Sequence, residues 1–170
     1  GRLLDVGGGS GSLSIGVAGE NPNIRCVVLD VKAVCVIAAG NIEEYGLAGR
    51  IETQVGDMFE PLPSGFDGVL FGNIFHDWDW ASCAKLAQRA YDALVPGGHI
   101  CLHELVLEPD LDGPLAVASM AVAMLVHERG QQFTEAELAT LLQETGFVDV
   151  CRRPSFGHYS LVTARKPASV

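Results

Sequence analysis

The chain has 170 residues, 48% of them hydrophobic, and a formal net charge of −10 at pH 7. That length holds one domain with a substantial core, and the apolar content excludes a disordered chain. The acidic balance argues against a nucleic-acid partner, which needs a basic footprint, and against a membrane span, since no run approaches ~20 apolar residues. The longest such stretch, 115–126, is too short. Five cysteines (Cys26, Cys35, Cys83, Cys101 and Cys151) are scattered without a CxxC pair, which suits reduced thiols in a cytoplasmic protein.

Taken in chain order, apolar strand-like runs alternate with helical patterns, as in an α/β sheet with helices on both faces. The first strand is predicted at 2–6 and leads into LLDVGGGSG, a glycine run opening a helix at 11–19. A strand at 25–30 ending in Asp30 and a helix at 32–45 follow, then a strand at 51–55 and one at 66–73. A helix at 80–94 precedes the turn LVPGGH and a strand at 98–106. Helices at 113–127 and 134–145 follow, the second opened by a Thr134/Glu137 capping box. The last strands, 147–152 and 158–165, are separated only by 153–157. That link is too short for a parallel crossover and predicts an antiparallel pair. Gly1 and Arg2 lead straight into the first strand, so the chain reads as a piece of a longer protein.

The glycine loop points to a nucleotide-type cofactor. Gly7, Gly9 and Gly11 let the backbone turn and approach a ligand, and the following helix presents free N–H groups. Asp5 stands just before the loop. Asp30 suits a ribose diol, the alternative being a strand-end residue that caps the next helix. Loop and Asp30 together separate a dinucleotide from S-adenosylmethionine only weakly, but GxGxG departs from the GxGxxG expected for NAD. Asp57 and Met58 follow the third strand at the carboxyl edge of the sheet. There a carboxylate can accept from an adenine amino group while the thioether covers the ring.

The series DVGGGSG, VVLD, GDMF, FDGVLFGNIFHDW and LVPGG resembles class I S-adenosylmethionine-dependent methyltransferases. His76-Asp77-Trp78 and His103-Glu104 resemble, more narrowly, the O-methyltransferases related to plant caffeic acid and isoflavone enzymes and to bacterial enzymes of secondary metabolism. The resemblance covers nearly the whole chain. It implies a Rossmann-like α/β fold, a seven-stranded, mostly parallel sheet with helices on both faces and an antiparallel last strand. It also implies S-adenosyl-L-methionine as cofactor, with Asp5, Gly7, Gly9, Asp30, Val31, Asp57, Met58 and Asn73 as its binding set. Family members carry a helical N-terminal region that builds a homodimer and closes the acceptor pocket; none of it is expected among these residues.

Methyl transfer from a sulfonium is an in-line displacement, so the protein must align an acceptor and remove its proton. A phenolic hydroxyl is little ionised at neutral pH, and a histidine can take its proton as attack proceeds. His76, just past the fourth strand, is the expected base, with Glu104 as the carboxylate that orients it. Asp77 matches a substrate-facing position and can equally support the N-terminus of the helix at 80–94. The family's second glutamate falls at Gln132, which can orient by hydrogen bonding but carries no charge; Glu128 reaches that place only with a register shift. The family's lysine at the fourth-strand exit is replaced by Gly72, with Asn73 beside it. Met120 and Met124 share a helical face and suit either the core or an apolar acceptor pocket. Trp78 and Trp80 either cover that pocket or anchor the next helix. His103 is expected on the opposite sheet face from Glu104, and the remaining histidines show no metal-ligand spacing. The expected partner is a small-molecule hydroxyl acceptor. Two rival readings are a dinucleotide oxidoreductase and a module that binds the cofactor without turnover.

Overall fold

The computed structural model describes residues 1–111, 113–127 and 130–168. Among them, seven strands form one sheet: β1 Arg2–Val6, β2 Arg25–Asp30, β3 Ile51–Val55, β4 Phe66–Gly72, β5 Leu94–Leu105, β6 Val148–Pro154 and β7 Tyr159–Arg165. Their spatial order is β3-β2-β1-β4-β5-β7-β6. The first five pair in parallel, and β7 runs antiparallel between β5 and β6. The four-residue link 155–158 forces that reversal, because it cannot cross the sheet.

Helices α1 Ser12–Glu20 and α2 Lys32–Glu44 lie over one face, where Ala18, Ala38 and Ile42 pack on Cys26, Val28 and Ile51. Helices α3 Trp80–Ala93 and α5 Glu135–Thr145 cover the other, burying Leu86, Ala90, Leu138 and Leu142 against Leu4, Val69, Ile100 and Val162. Beyond the exposed Arg2, the central strand β1 is therefore buried from both sides and is apolar except for Asp5. Helix α4 spans Leu115–His127. No helix among the described residues is long and apolar enough to cross a membrane.

Local chemistry sets the element ends. Asp79 caps α3 by accepting from the Ser82 N–H at 2.8 Å. Thr134 and Glu137 form the expected capping box at α5, and Gly146 ends that helix with a φ of 104°. One boundary differs from the sequence reading by more than two residues. β5 begins at Leu94, not at residue 98, because Leu94 already pairs with Phe66 and the next pair is Gly68 with His99. Residues 95–98 loop out as a bulge between those pairs, so the PGG turn sits inside the strand.

The topology places a crevice. The strand order reverses between β1 and β4, since β2 and β3 extend to one side and β5 to the other. At such a switch point the loops after adjacent parallel strands diverge and leave room for a ligand at their carboxyl ends.

Candidate active site

The glycine loop leaves β1 at this crevice. Gly7 has a φ of 65°, and a Cβ there would fall 2.6 Å from Ile74 Cδ1; at Gly8 it would fall 2.8 Å from Asp5 Cγ. A side chain at Gly7 would be strained by its positive φ and would displace Ile74, and one at Gly8 would collide with Asp5 and Val28. The loop is pinned to the neighbouring strand: Gly7 N–H donates to Leu29 O at 2.8 Å, and Gly9 N–H donates to Asp30 Oδ2 at 2.9 Å.

Asp30 thus ties the loop to the exit of β2, while its Oδ1 accepts from Val31 N–H at 2.7 Å. It does not cap α2, whose N-cap is Val31 and has no side-chain cap. A carboxylate offers about four acceptor positions, so roughly two remain for a diol. Asp57 follows β3; its Oδ1 accepts from Phe59 N–H at 2.9 Å, which fixes the carboxylate at the rim. Gly7, Leu29, Asp30, Val31, Gly56, Asp57, Met58, Phe59, Ile74 and Trp78 enclose a cleft of about 460 Å³. Trp78 packs edge-on against Phe59 at 4.8 Å in this wall. Trp80 instead packs on Phe133 at 6.2 Å, so the two tryptophans face different neighbours. Leu29, Gly56, Phe59 and Ile74 were not foreseen as lining residues. They are ordinary apolar or small positions, and only the juxtaposition of three strand exits brings them together.

A second cleft of about 400 Å³ continues along the other side of the loop, lined by Asp5, Gly7–Ser10, Ser12, Leu13, Gly72, Asn73, His103, Phe156 and Tyr159. The amides at the start of α1 open here, where the helix has no side-chain cap. Asp5 is 0% exposed. Its Oδ2 accepts from Ser14 Oγ at 2.7 Å, and Oδ1 has no partner among the described residues. Burial pushes its carboxyl up to about 6, against the hydrogen bonds from Ser14, which pull it down. Asn73 sits in the left-handed region at φ 58°, which asparagine tolerates, and its N–H donates to His103 O at 3.0 Å. His103 does turn away from Glu104, stacking on Tyr159 at 4.8 Å and meeting Ser155 Oγ at 3.2 Å. Among the described residues, no lysine or arginine lines either cleft.

His76 sits on a single 3₁₀ turn, Phe75–Asp77, where the chain leaves β4. Its side chain is 8% exposed, and Glu104 Oε2 lies 2.6 Å from Nδ1. The other oxygen, Oε1, accepts from the Ile74 and Phe75 N–H groups at 2.9 and 2.8 Å. Glu104 is 2% exposed, so these three charge-assisted bonds are what make its burial tolerable. Cys83 Sγ donates to Phe75 O at 3.2 Å and steadies the turn from α3. Asp77 Oδ1 lies 3.3 Å from His76 Nε2. Its alternative role at the helix N-terminus falls to Asp79. Burial on its own would lower the His76 pKa. The Glu104 hydrogen bond and charge, then the Asp77 charge, outweigh it and hold the ring above the usual histidine value.

The departures from the family pattern have physical reasons or consequences here. A Cβ on Gly72 would fall 2.3 Å from Leu13 Cδ1, so Leu13 fills the volume a larger residue would need. Gln132 is 6% exposed, and neither atom of its carboxamide has a partner among the described residues. It makes no hydrogen bond to His76. Glu128 lies outside the described residues. Met120 and Met124 are half-buried on α4 and belong to neither apolar cluster described above.

Comparison with known proteins gives a consistent result. A family model described as an O-methyltransferase domain matches residues 1–148. The chain is 39% identical over 150 residues to a 3-hydroxy-5-methyl-1-naphthoate 3-O-methyltransferase of Streptomyces sahachiroi, covering 88% of this chain and 44% of that protein. An O-methyltransferase family 2 protein of Planctomyces limnophilus, solved with apigenin, superposes with a TM-score of 0.92 at 33% identity, over 97% of this chain and 49% of that one. An O-methyltransferase from neocarzinostatin biosynthesis, solved with S-adenosylmethionine and 2-hydroxy-5-methyl naphthoic acid, gives 0.87 at 30% identity, over 99% and 49%. The chain therefore spans about half the length of the relatives it matches.

Proposed function

This chain belongs to the O-methyltransferase domain family, and on that footing we propose that it binds S-adenosylmethionine at the glycine loop and methylates a hydroxyl of a small aromatic or polyketide-like molecule. The observation that carries the reading is the buried His76–Glu104 pair, 2.6 Å apart, beside a cleft lined with carboxylates and, among the described residues, with no lysine or arginine. That lining fits a cationic sulfonium and repels a pyrophosphate, which disfavours the dinucleotide alternative.

The residues fit the cofactor part by part. Asp57 would accept from the adenine amino group, with Met58 against the ring. Asp30 would take the ribose hydroxyls on its two remaining acceptor positions. In the second cleft, Asp5 Oδ1 would pair the amino group of the methionine tail, and the free amides of α1 would hold its carboxylate. Val31, Gly9 and Asn73 would border it. The cofactor supplies a methyl group already activated for displacement. What remains for this chain is to position the acceptor and receive its proton. A carboxylate only accepts, so Nδ1 of His76 carries the hydrogen in the Glu104 bond and Nε2 is left to act as base. Asp77 beside Nε2 and Met120 and Met124 on α4 are the residues proposed to meet the acceptor. Assembly as a homodimer through residues outside this chain, and a cytoplasmic setting suited to five unpaired thiols, belong to the same reading.

The test is His76→Ala. Turnover should fall at least ~100-fold while S-adenosylhomocysteine affinity stays near that of the parent. Turnover that survives with a good acceptor would remove His76 from the role. Tighter calorimetric binding of NAD than of S-adenosylhomocysteine would overturn the reading as a whole. Donor binding without transfer across a broad phenol panel would favour the non-catalytic module.

A further inference from the structure

Gln132 has a buried carboxamide that no described residue satisfies. The side chain is 6% exposed, and both Oε1 and Nε2 are without partners among the described residues. A buried amide left in this state costs stability, about 1–3 kcal/mol by general experience, and native folds rarely keep one without a use. Its surroundings indicate the use. Gly130 is pressed so closely on the base-bearing turn that a Cβ there would fall within 2.7 Å of Asp77 C and closer still to His76 O. On the other side of Gln132, Phe133 O accepts from Leu107 N–H at 2.9 Å, and its ring packs on Trp80. Two residues of chain reach at most about 7 Å, so Gln132 lies within that reach of Gly130, which is packed on the His76 turn, and beside Phe133, which bonds the chain just past β5.

We infer that Gln132 recognises the acceptor, by pairing its carboxamide with a carbonyl or carboxylate carried beside the reacting hydroxyl of a hydroxyarene. The inference rests on the methyl-transfer reading and narrows its substrate class. The chemistry favours such a group for two reasons. A carboxamide offers one acceptor and two donor hydrogens, so a carbonyl or carboxylate oxygen satisfies the donor side that a plain arene leaves orphaned. It is also neutral. Glu104 and Asp77 already flank His76 on its two nitrogens at 2.6 and 3.3 Å, and a third carboxylate at position 132 would repel an acidic acceptor. The glutamine admits one. Sites built to pair a buried polar group discriminate strongly against ligands that lack the partner.

The experiment compares the parent chain, Gln132→Leu and Gln132→Glu, each with S-adenosylhomocysteine bound. Binding of hydroxyarenes is measured by calorimetry in matched pairs, with and without an adjacent carbonyl or carboxylate, alongside thermal unfolding. The parent should prefer the substituted member about tenfold or more. Gln132→Leu should erase that preference with an unchanged or higher Tm, because it removes an unpaired buried amide. Gln132→Glu should weaken the carboxylate-bearing acceptors most. No preference in the parent, or a preference that persists in Gln132→Leu, overturns the proposal. So does a fall in Tm with equal loss for both members, which marks a packing role. If the parent methylates hydroxyarenes but shows no such preference, the methyl-transfer reading stands and only the acceptor assignment falls. If it binds no S-adenosylhomocysteine, both fall together.

Discussion

Glu104 holds His76 and the turn that carries it with the same carboxylate: Oε2 meets the ring at 2.6 Å, and Oε1 takes the N–H groups of Ile74 and Phe75. The ring's orientation, its tautomer and the path of the backbone out of β4 therefore share one anchor. Glu104→Gln should separate these roles. The amide oxygen can still hold the two backbone groups, but the negative charge that favours the imidazolium is gone. The His76 pKa should fall, and the acidic limb of a pH–rate profile should move to lower pH. A limb that stays in place would mean that Glu104 acts through the backbone alone.

The same residue links pH to stability. The folded-state pKa of His76 lies above the usual value near 6.5, so its stabilising contribution is full below that value and is lost as pH rises through the folded pKa. Chemical denaturation of the parent and His76→Ala across pH 5.5 to 8.5, roughly bracketing the histidine range, should show the gap between them shrinking with rising pH. A gap that widens would contradict the ion pair.

Asp5 gives a contribution of the same sign in a different window. Its carboxyl is raised from 3.8 to about 6, so folding favours the protonated form and stability falls as pH climbs between those values. Asp5→Asn keeps a partner for Ser14 and removes the buried charge. At neutral pH it should be more stable than the parent, by on the order of 2–3 kcal/mol from a shift of about two pKa units. S-adenosylhomocysteine should bind it more weakly. Equal stability of the two proteins at pH 7.5 would show that the Asp5 charge is relieved in some other way.

Asp30 and Asp57 should separate in their effects. Asp30 braces the glycine loop through Gly9 as well as facing the cleft, whereas Asp57 only fixes its own rim turn through Phe59. Asp30→Ala should lower both Tm and cofactor affinity; Asp57→Ala should lower affinity with little change in Tm. Calorimetry and thermal unfolding on the two variants decide it, and matching effects on Tm would remove the distinction.

Gly130→Ala tests the approach of the 130–133 segment to the base. A Cβ there meets the backbone of His76 and Asp77 and not a flexible side chain, so the turn must move. A loss of about 1–3 kcal/mol in stability should accompany a fall in turnover larger than the change in cofactor affinity. Parent-like turnover would show that the segment yields without disturbing His76.

Nearly all of the element order was readable from periodicity and punctuation. Apolar runs bounded by glycines gave the strands, the Thr134/Glu137 box fixed the start of α5, and the short link read at 153–157, observed at 155–158, fixed the antiparallel β7. Those signals are local, carried by residues a few positions apart. The start of β5 was not readable, because only pairing with Phe66 reveals that Leu94 is already in the sheet and that residues 95–98 bulge. The separate duties of Trp78 and Trp80, and of Asp77 and Asp79, were likewise invisible at one or two residues' separation. They depend on which neighbour each side chain meets: Phe59, Phe133, His76 and Ser82 respectively.

The sequence by itself determined the α/β alternation, the glycine loop with its acidic partners at Asp30 and Asp57, and the histidine at the exit of β4. Turn chemistry and hydrophobic period need nothing beyond their own segment. The resemblance already named Glu104 as the partner of His76, 28 positions away; only the tertiary structure decided that its charge is buried there on the ring and on two backbone N–H groups, and that Gln132 is left without a partner among the described residues. The cost of burying a polar group depends on what the rest of the chain brings to it, and no window of sequence contains that information.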